Sequence, residues 1–174
     1  MRSRHDIVAR ALVHVGHRET APNDSPLIRA WLRRCGILQP AAWCAAFASW
    51  CVEEYWDTVE SAPEFVKQAG ALRLAALFPE TRDPQPGDLM WFPTDDQGHG
   101  HIGIVIAVGA TQALCVEGNS ANMVRIVRRL RSEVRFSSTR PGARAEARTE
   151  ILKPWAESLG YDPPLVHVGF DGTR

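Results

Sequence analysis

The sequence lacks an excess of charge of either sign and lacks any long hydrophobic run. Its 174 residues include 20 lysines and arginines and 20 aspartates and glutamates, which gives a formal net charge of zero. A surface that grips nucleic acid needs a concentrated basic field, so this balance argues against a nucleic-acid-binding protein. No apolar run approaches the roughly 18 residues that span a bilayer, and we expect no membrane span. With 45% hydrophobic residues, the chain is too apolar to be disordered, which predicts a compact domain.

Cysteine is scarce, with four residues at positions Cys35, Cys44, Cys51 and Cys115. Their spacing fits no zinc-binding pattern, and a domain of this length does not need disulfides. Cys44 and Cys51 would lie two turns apart on one predicted helix, about 10 Å at 1.5 Å per residue. Because disulfide-bonded Cα atoms come within about 7 Å, we expect no bond between these two residues.

A secretory signal pattern is also missing. The segment from Met1 to Asp6 is polar, and no apolar central region or small-residue cleavage site follows it. We therefore expect the protein to be made in the cytoplasm without a signal peptide.

Helical periodicity dominates the first part of the chain. Apolar residues recur at helical spacing, and cap residues such as serine and glycine stand at the boundaries. The predicted helices run from about residue 7 to Gly16, from Ser25 to Gly36, from about Ala41 to Tyr55, and from Ser61, where Ser61 and Glu64 match a capping box, to about Leu77.

After Pro86-Gly87 the pattern changes to short β-branched runs, which predict strands over residues 88–92, 101–108, 112–117 and 123–128. Helices followed by an antiparallel meander indicate an α+β domain. From Arg140 onward the composition resembles a linker. We therefore predict a folded domain over residues 1–138 and a C-terminal extension of unknown role over residues 139–174.

Cys44 lies in the first turn of a predicted helix, within Trp43-Cys44-Ala45-Ala46-Phe47. Unpaired backbone N–H groups and the helix dipole stabilise an anion there, which makes a thiolate available at neutral pH. The alternative is a small buried thiol that packs against Trp43 and Phe47, as free cysteines often do.

A second candidate is the histidine-glycine segment from Gly98 to Gly103, at the junction of a loop and a strand. Glycines beside His101 permit another group to approach closely. His99 and His101 could also share a metal ion as an HxH pair. Since no nearby cysteine or acid completes a ligand set, we expect no metal.

A third candidate is Glu117, at the end of the next predicted strand. If the hairpin turn falls at residues 108–111, His101 pairs opposite Glu117 or within one residue of it, with Cβ atoms about 5 Å apart for direct opposition. Asn119 follows on the same face. A thiol, an imidazole and an orienting carboxylate are the parts of nucleophilic acyl transfer.

These motifs, in this order, resemble those of the CHAP amidases, which belong to the NlpC-type cysteine peptidases with a minimal papain-like fold. The resemblance covers roughly residues 5–138. It rests on the segments Trp43-Cys44-Ala45-Ala46-Phe47, Gln85-Pro86-Gly87-Asp88-Leu89, Gly100-His101-Ile102-Gly103-Ile104-Val105 and Glu117-Gly118-Asn119.

The resemblance implies that Cys44 is the nucleophile, His101 the base, Glu117 the acidic third member and Asn119 an accompanying polar residue. It implies hydrolysis of an amide bond in peptidoglycan, between muramic acid and L-alanine or within the stem peptide, without a cofactor. Some phage CHAP domains carry an acidic calcium loop, but Asp95-Asp96 alone is too little for one.

A wall-cutting enzyme made in the cytoplasm needs a route to its substrate. We expect an antibacterial effector that a type VI-like secretion system delivers to the periplasm of a target cell, with a cognate immunity protein; the alternative is a phage endolysin. Two other hypotheses remain open. One is a non-catalytic peptide-binding module, for which the arginines between Arg125 and Arg135 would form a contact surface instead of a solvated strand face. The other is a protein-processing cysteine peptidase or acyltransferase.

Overall fold

In the described part of the chain, four helices precede the strands. The computed structural model describes residues 4–56 and 67–140, and these contain α1 (Arg4–Leu12), α2 (Pro26–Arg34), α3 (Cys44–Trp56) and α4 (Ala71–Ala76). In this part of the chain no helix combines the length and the apolar character that a membrane crossing requires.

Local capping signals define α2 as predicted. Ser25 Oγ accepts a hydrogen bond from the Ile28 N–H at 3.1 Å, and Pro26 occupies the first helical turn. Gly36, just beyond the helix, has a φ of 77°, which glycine adopts without steric cost. The helix buries Ile28 and Trp31, and it thereby contributes to the core on which α3 rests.

The predicted fourth helix, from Ser61 to about Leu77, is wrong over part of its length. Residues 67–70 are not helical, and α4 begins at Ala71. Gly70 precedes it with an extended backbone, φ −94° and ψ 123°. Because glycine is a poor helix former, a break at this position is physically reasonable. The predicted capping box at Ser61 and Glu64 lies outside the described residues.

The second half of the described chain forms one antiparallel sheet. Its strands are β1 (Leu89–Pro93), β2 (Gly100–Val108), β3 (Gln112–Glu117), β4 (Arg125–Leu130) and β5 (Arg135–Ser137), in the spatial order β4-β3-β2-β1-β5. The α+β class and the meander are thereby confirmed. The short strand β5 was not predicted; it pairs with β1, a long-range partner that sequence periodicity does not reveal.

Apolar residues are buried on both faces of the sheet. Ile102 and Ile104 of β2 join the core formed with the helices. On the opposite face, Val105 and Cys115 are fully buried in a second cluster with Phe136 of β5. β2 therefore lies in the interior of the domain. The packing on both of its faces holds the residues at its N-terminal end in place.

The proline-glycine-aspartate turn before β1 ties the ends of the described chain together. Asp88 is fully buried, and it accepts hydrogen bonds from Arg4 Nη1 at 2.7 Å, the Gln85 N–H at 2.8 Å and the Thr139 N–H at 3.0 Å. Thr139 Oγ1 also donates to the Gly87 carbonyl at 3.0 Å. A buried carboxylate with several donors is well compensated, so this turn is a structural anchor. Residues 141–174 of the predicted extension lie outside the described residues.

The predicted register of the β2–β3 hairpin is wrong. Ile104 pairs with Val116, which places Gly103 opposite Glu117 and leaves His101 two residues away. The hairpin loop lies further along the chain than expected, since Val108 pairs with Ala113, and an irregularity between Val105 and Ala107 compensates only partly. Because the remaining offset is two residues, His101 and Glu117 still share one face of the sheet.

Candidate active site

Cys44 is the first residue of α3. The helix starts there and not near Ala41 as predicted, because the Trp43 carbonyl accepts the hydrogen bond from the Phe47 N–H, at 2.9 Å. The thiol is free and largely buried, with 7% exposure. The first N–H groups of a helix have no intrahelical acceptor, so they are directed at the surroundings of the Cys44 side chain.

His101 connects Cys44 to the sheet. It lies at the beginning of β2, and its Nε2 is 2.8 Å from Glu117 Oε2. The imidazole also forms a side-chain hydrogen bond with Cys44, for which Nδ1 is the remaining ring nitrogen. The structure thus brings three of the four predicted site residues into one chain of contacts: Cys44, His101 and Glu117.

The surroundings of His101 favour its protonated form. Burial is the largest single influence and lowers the pKa, but the hydrogen bonds and charges of Cys44 and Glu117 together outweigh it and raise the pKa to about 9. The imidazole lies against the Cys44 thiol at the beginning of α3. This arrangement of a thiol and an imidazole suits nucleophilic attack by sulfur.

Glu117 is fully buried and is held by two neighbours. Arg129 Nε donates to Glu117 Oε1 at 2.7 Å, and Arg129 Nη2 donates to Oε2 at 2.6 Å. Burial raises the pKa of Glu117, but the hydrogen bonds from Arg129 and His101 outweigh that effect and hold the pKa below its usual range. The carboxylate is therefore ionised where it meets the imidazole.

Gly103 supplies the space that Glu117 occupies. A Cβ at this position would lie 2.7 Å from Glu117 Cγ and 3.0 Å from the Val116 carbonyl oxygen. A distance of 2.7 Å is shorter than Cβ atoms in proteins show, so the Glu117 side chain would have to move. Glycine opposite Glu117 is therefore a requirement of the site's packing.

Asn119, the fourth predicted residue, adopts a left-handed backbone conformation with a φ of 56°. With its amide oriented to satisfy both neighbours, the nitrogen donates to Glu19 Oε1 at 3.3 Å and the oxygen accepts from the Trp43 N–H at 3.2 Å. These contacts attach Asn119 to the residue that precedes Cys44. The acceptor observed for His101 Nε2 is Glu117 and not Asn119.

Two charged residues near the site were missed in the sequence. Glu19 accepts a hydrogen bond from Trp43 Nε1 at 2.9 Å through Oε1 and one from the Asn23 N–H at 2.8 Å through Oε2; no local pattern pointed to it. Arg129 was grouped with the other arginines of its segment. It could have been singled out by strand periodicity, because the β3–β4 register places it on the same face as Glu117.

His99 does not join His101. Its Nδ1 forms a hydrogen bond with Asp95 on the exposed loop before β2. In residues 4–56 and 67–140, no group of three or more histidine, cysteine, aspartate or glutamate side chains is arranged to hold a metal ion.

Residues 38–119 match the family model of the CHAP domain. This match is consistent with a CHAP-domain cysteine amidase or peptidase. No curated protein and no solved structure matches the chain. CHAP domains are amidases and peptidases of the peptidoglycan hydrolase type, and the helices and five-stranded antiparallel sheet have the α+β, papain-like architecture of this family.

The matched segment contains all four predicted site residues, Cys44, His101, Glu117 and Asn119. Glu19 precedes the segment and Arg129 follows it. The contacts of these two residues are therefore features of this chain that the family match does not supply.

Proposed function

We propose that this CHAP domain is a cysteine amidase or endopeptidase that cleaves an amide bond of peptidoglycan, either between muramic acid and L-alanine or within the stem peptide. The observation that carries the proposal is the continuous chain of contacts from Cys44 through His101 to the buried Glu117. A thiol that packs inertly in a core needs neither an imidazole partner nor a carboxylate behind it.

In the proposed reaction the Cys44 thiolate attacks the amide carbonyl carbon and forms a tetrahedral intermediate. The His101 imidazolium protonates the leaving amine as the C–N bond breaks, which leaves a thioester on Cys44. Water then attacks the thioester while His101 accepts its proton, and the C–S bond breaks to release a carboxylate and the thiolate.

Glu117 acts on the imidazole and not on the substrate. Its carboxylate accepts from Nε2, which keeps Nδ1 directed at Cys44 and stabilises the imidazolium. The Cys44 backbone N–H, at the beginning of α3, is our candidate for a donor to the oxyanion of the tetrahedral intermediate.

Digestion of purified sacculi tests this function. Cys44→Ala should abolish the release of soluble muropeptides, because no nucleophile remains, while the thermal unfolding of the variant should stay close to that of the wild type. Cys35→Ala is the matched control, since Cys35 is also a free cysteine but lies outside the contact chain. Release by Cys44→Ala at the wild-type rate would refute the proposal.

Mass analysis of the released muropeptides would identify the bond that is cut, and it would separate the wall enzyme from its rivals. A protein-processing peptidase or acyltransferase retains Cys44 reactivity but releases no muropeptides. A peptide-binding module releases none and also fails to react with iodoacetamide near pH 6, where a thiolate–imidazolium pair is still alkylated.

We also propose that the domain acts in the periplasm or cell wall of a target cell after delivery by a type VI-like secretion system, and that a cognate immunity protein binds it. Support comes from the location of the proposed substrate, which lies outside the cytoplasm. Production directed to the periplasm should lyse cells in a Cys44-dependent manner, whereas cytoplasmic production should not. Equal harmlessness in both compartments would contradict this proposal, and a holin gene beside the coding gene would favour the phage endolysin.

A further inference from the structure

The carboxylate of Glu117 is held in an unusually demanding environment. It is fully excluded from solvent, and its neighbour along the strand, Cys115, is a buried thiol. An ionised carboxylate in such a place is costly unless hydrogen bonds and an opposite charge compensate it. The protonated His101 donates one hydrogen bond to this carboxylate. If Glu117 took up a proton, His101 would lose the anion that accepts this bond.

Arg129 supplies the missing compensation from β4. Its guanidinium makes two parallel hydrogen bonds to Glu117, with Nε on one carboxylate oxygen and Nη2 on the other. The guanidinium carbon of Arg129, Cζ, lies over the Phe92 ring, 4.9 Å from its centroid. An arginine fork between a carboxylate and an aromatic ring has little freedom to turn, so it also fixes the orientation of the carboxylate.

The course of the side chain is made possible by small residues on β3. Arg129 pairs with Ala113 in the strand register, and Cys115 is the next residue on the same face towards Glu117. Both are buried and short, so the guanidinium can reach Glu117 over them. Of the arginines on β4, Arg125 pairs directly with Glu117 in the register, yet the salt bridge to the carboxylate is made by Arg129.

The proton affinity of the pair is set by groups on several elements. His101 on β2 and Arg129 on β4 contact the carboxylate directly. Arg129 in turn also interacts with Cys115 and Glu133, and its hydrogen bond to Glu117 raises its own pKa further. Cys44 on α3 acts on the carboxylate through the imidazole.

We propose that Arg129 is a positioning residue for the hydrolytic reaction: its guanidinium fork fixes the Glu117 carboxylate against His101 Nε2, and so directs the other ring nitrogen at Cys44. This inference rests on the proposed function and extends it to a relay of four side chains. Loss of Arg129 leaves Glu117 buried without its two guanidinium hydrogen bonds, so that the carboxylate takes up a proton or turns away, and His101 loses its anionic acceptor.

Titration of His101 by imidazole ¹⁵N NMR tests the proposal without any substrate. Wild type should titrate near pH 9, and Arg129→Met should shift that midpoint down by at least about one unit, which corresponds to a tenfold loss in proton affinity. Arg129→Lys, which keeps a charge but loses the fork, should give a smaller downward shift. Arg128→Met, an exposed arginine one position away on the same strand, is the matched control and should titrate as the wild type does.

A second measurement follows the reaction itself. At pH 7.5 the rate of Cys44 alkylation by iodoacetamide and the kcat for muropeptide release should both fall about tenfold or more in Arg129→Met, with little change in KM, because Arg129 does not contact the substrate. Far-UV circular dichroism and thermal unfolding report whether each variant is folded, and Arg129→Lys provides the test if Arg129→Met does not fold.

The two proposals fail in different ways. If the wild type releases no muropeptides, the proposed function is wrong, but the NMR titration and the alkylation rate still decide the role of Arg129. If Arg129→Met or Arg129→Lys lowers the unfolding temperature yet leaves the His101 midpoint and the alkylation rate at wild-type values, Arg129 is merely structural and the inference is overturned.

Discussion

Gly103 offers a test of how tightly the carboxylate of Glu117 must be held. A Cβ added at Gly103 would approach Glu117 Cγ to 2.7 Å, whereas ordinary contacts begin near 3.4 Å, so the two groups must separate by about 0.7 Å. The Val116 carbonyl oxygen, a backbone atom at 3.0 Å, limits how the strands can relax. The displacement therefore falls mainly on the Glu117 side chain and on its hydrogen bond to His101.

The size of the effect follows from this displacement. Overpacking of a buried site costs typically about 1–3 kcal/mol, and about 2 kcal/mol corresponds to a loss of roughly 4–8 °C in Tm for a chain of this length. A misplacement approaching 1 Å in a positioned catalytic group can cost up to about a hundredfold in rate. We therefore expect Gly103→Ala to lower muropeptide release by about tenfold to a hundredfold.

Gly109→Ala is the matched control. It lies just beyond the same strand, and a Cβ there would meet only the Gln112 carbonyl oxygen at 3.5 Å, an ordinary contact. Scanning calorimetry and sacculus digestion should place Gly109→Ala near the wild type and Gly103→Ala well below it. If both variants match the wild type in Tm and in rate, the space opposite Glu117 is not confined and our account of the site's packing is wrong.

Three further predictions concern pH and capping. The pKa of about 9 for His101 predicts that muropeptide release declines only as the pH rises through about 9, where the leaving amine loses its proton donor; a pH–rate profile with that limb near 6.5 would contradict it. Burial, with the charges of His17 and Arg10, lowers the pKa of His14 below 6.5, so the folded state favours the neutral ring. This contribution to stability is present above pH 6.5 and is lost as the pH falls, and His14→Gln should make Tm less dependent on pH in that range. Ser25→Ala should cost about 1 kcal/mol or more, because the helix cap and the hydrogen bond to His17 Nε2 are both lost; a Tm equal to that of the wild type would contradict this.

Signals within a few residues of one another predicted much of the fold. Ser25 and Gly36 marked the ends of α2 because caps act on the nearest backbone groups, and the predicted strand over residues 112–117 matches β3. The break at Gly70 and the strand β5 were missed for different reasons. A helical hydrophobic pattern continued through Gly70 although its backbone is extended, and β5 exists only through its pairing with β1.

Side-chain partners across the fold were the part that local patterns could not supply. Glu19 binds Trp43 and Asn119, and Arg129 binds Glu117. These residues are distant in the sequence, and their contacts depend on the strand register or on the packing of loops. Burial of Glu117 was not expected either. A glutamate at a strand end is ordinarily a surface acid. Here the hydrogen bonds from Arg129 on the neighbouring strand compensate the carboxylate for its burial.

The contact between His101 and Glu117 was anticipated despite a wrong register, and the reason is the geometry of strands. Side chains alternate between faces with a period of two, so an offset of two residues preserves the face, whereas an offset of one reverses it. His101 and Glu117 are diagonal instead of directly opposed, and the long glutamate side chain spans the diagonal across Gly103. A direct pair would have required no glycine. The diagonal pair requires glycine at position 103, because a side chain there would meet Glu117. The diagonal arrangement also leaves the other side of the carboxylate open to β4, from which Arg129 reaches it. The register that sequence patterns did not predict therefore brings Arg129 into the site.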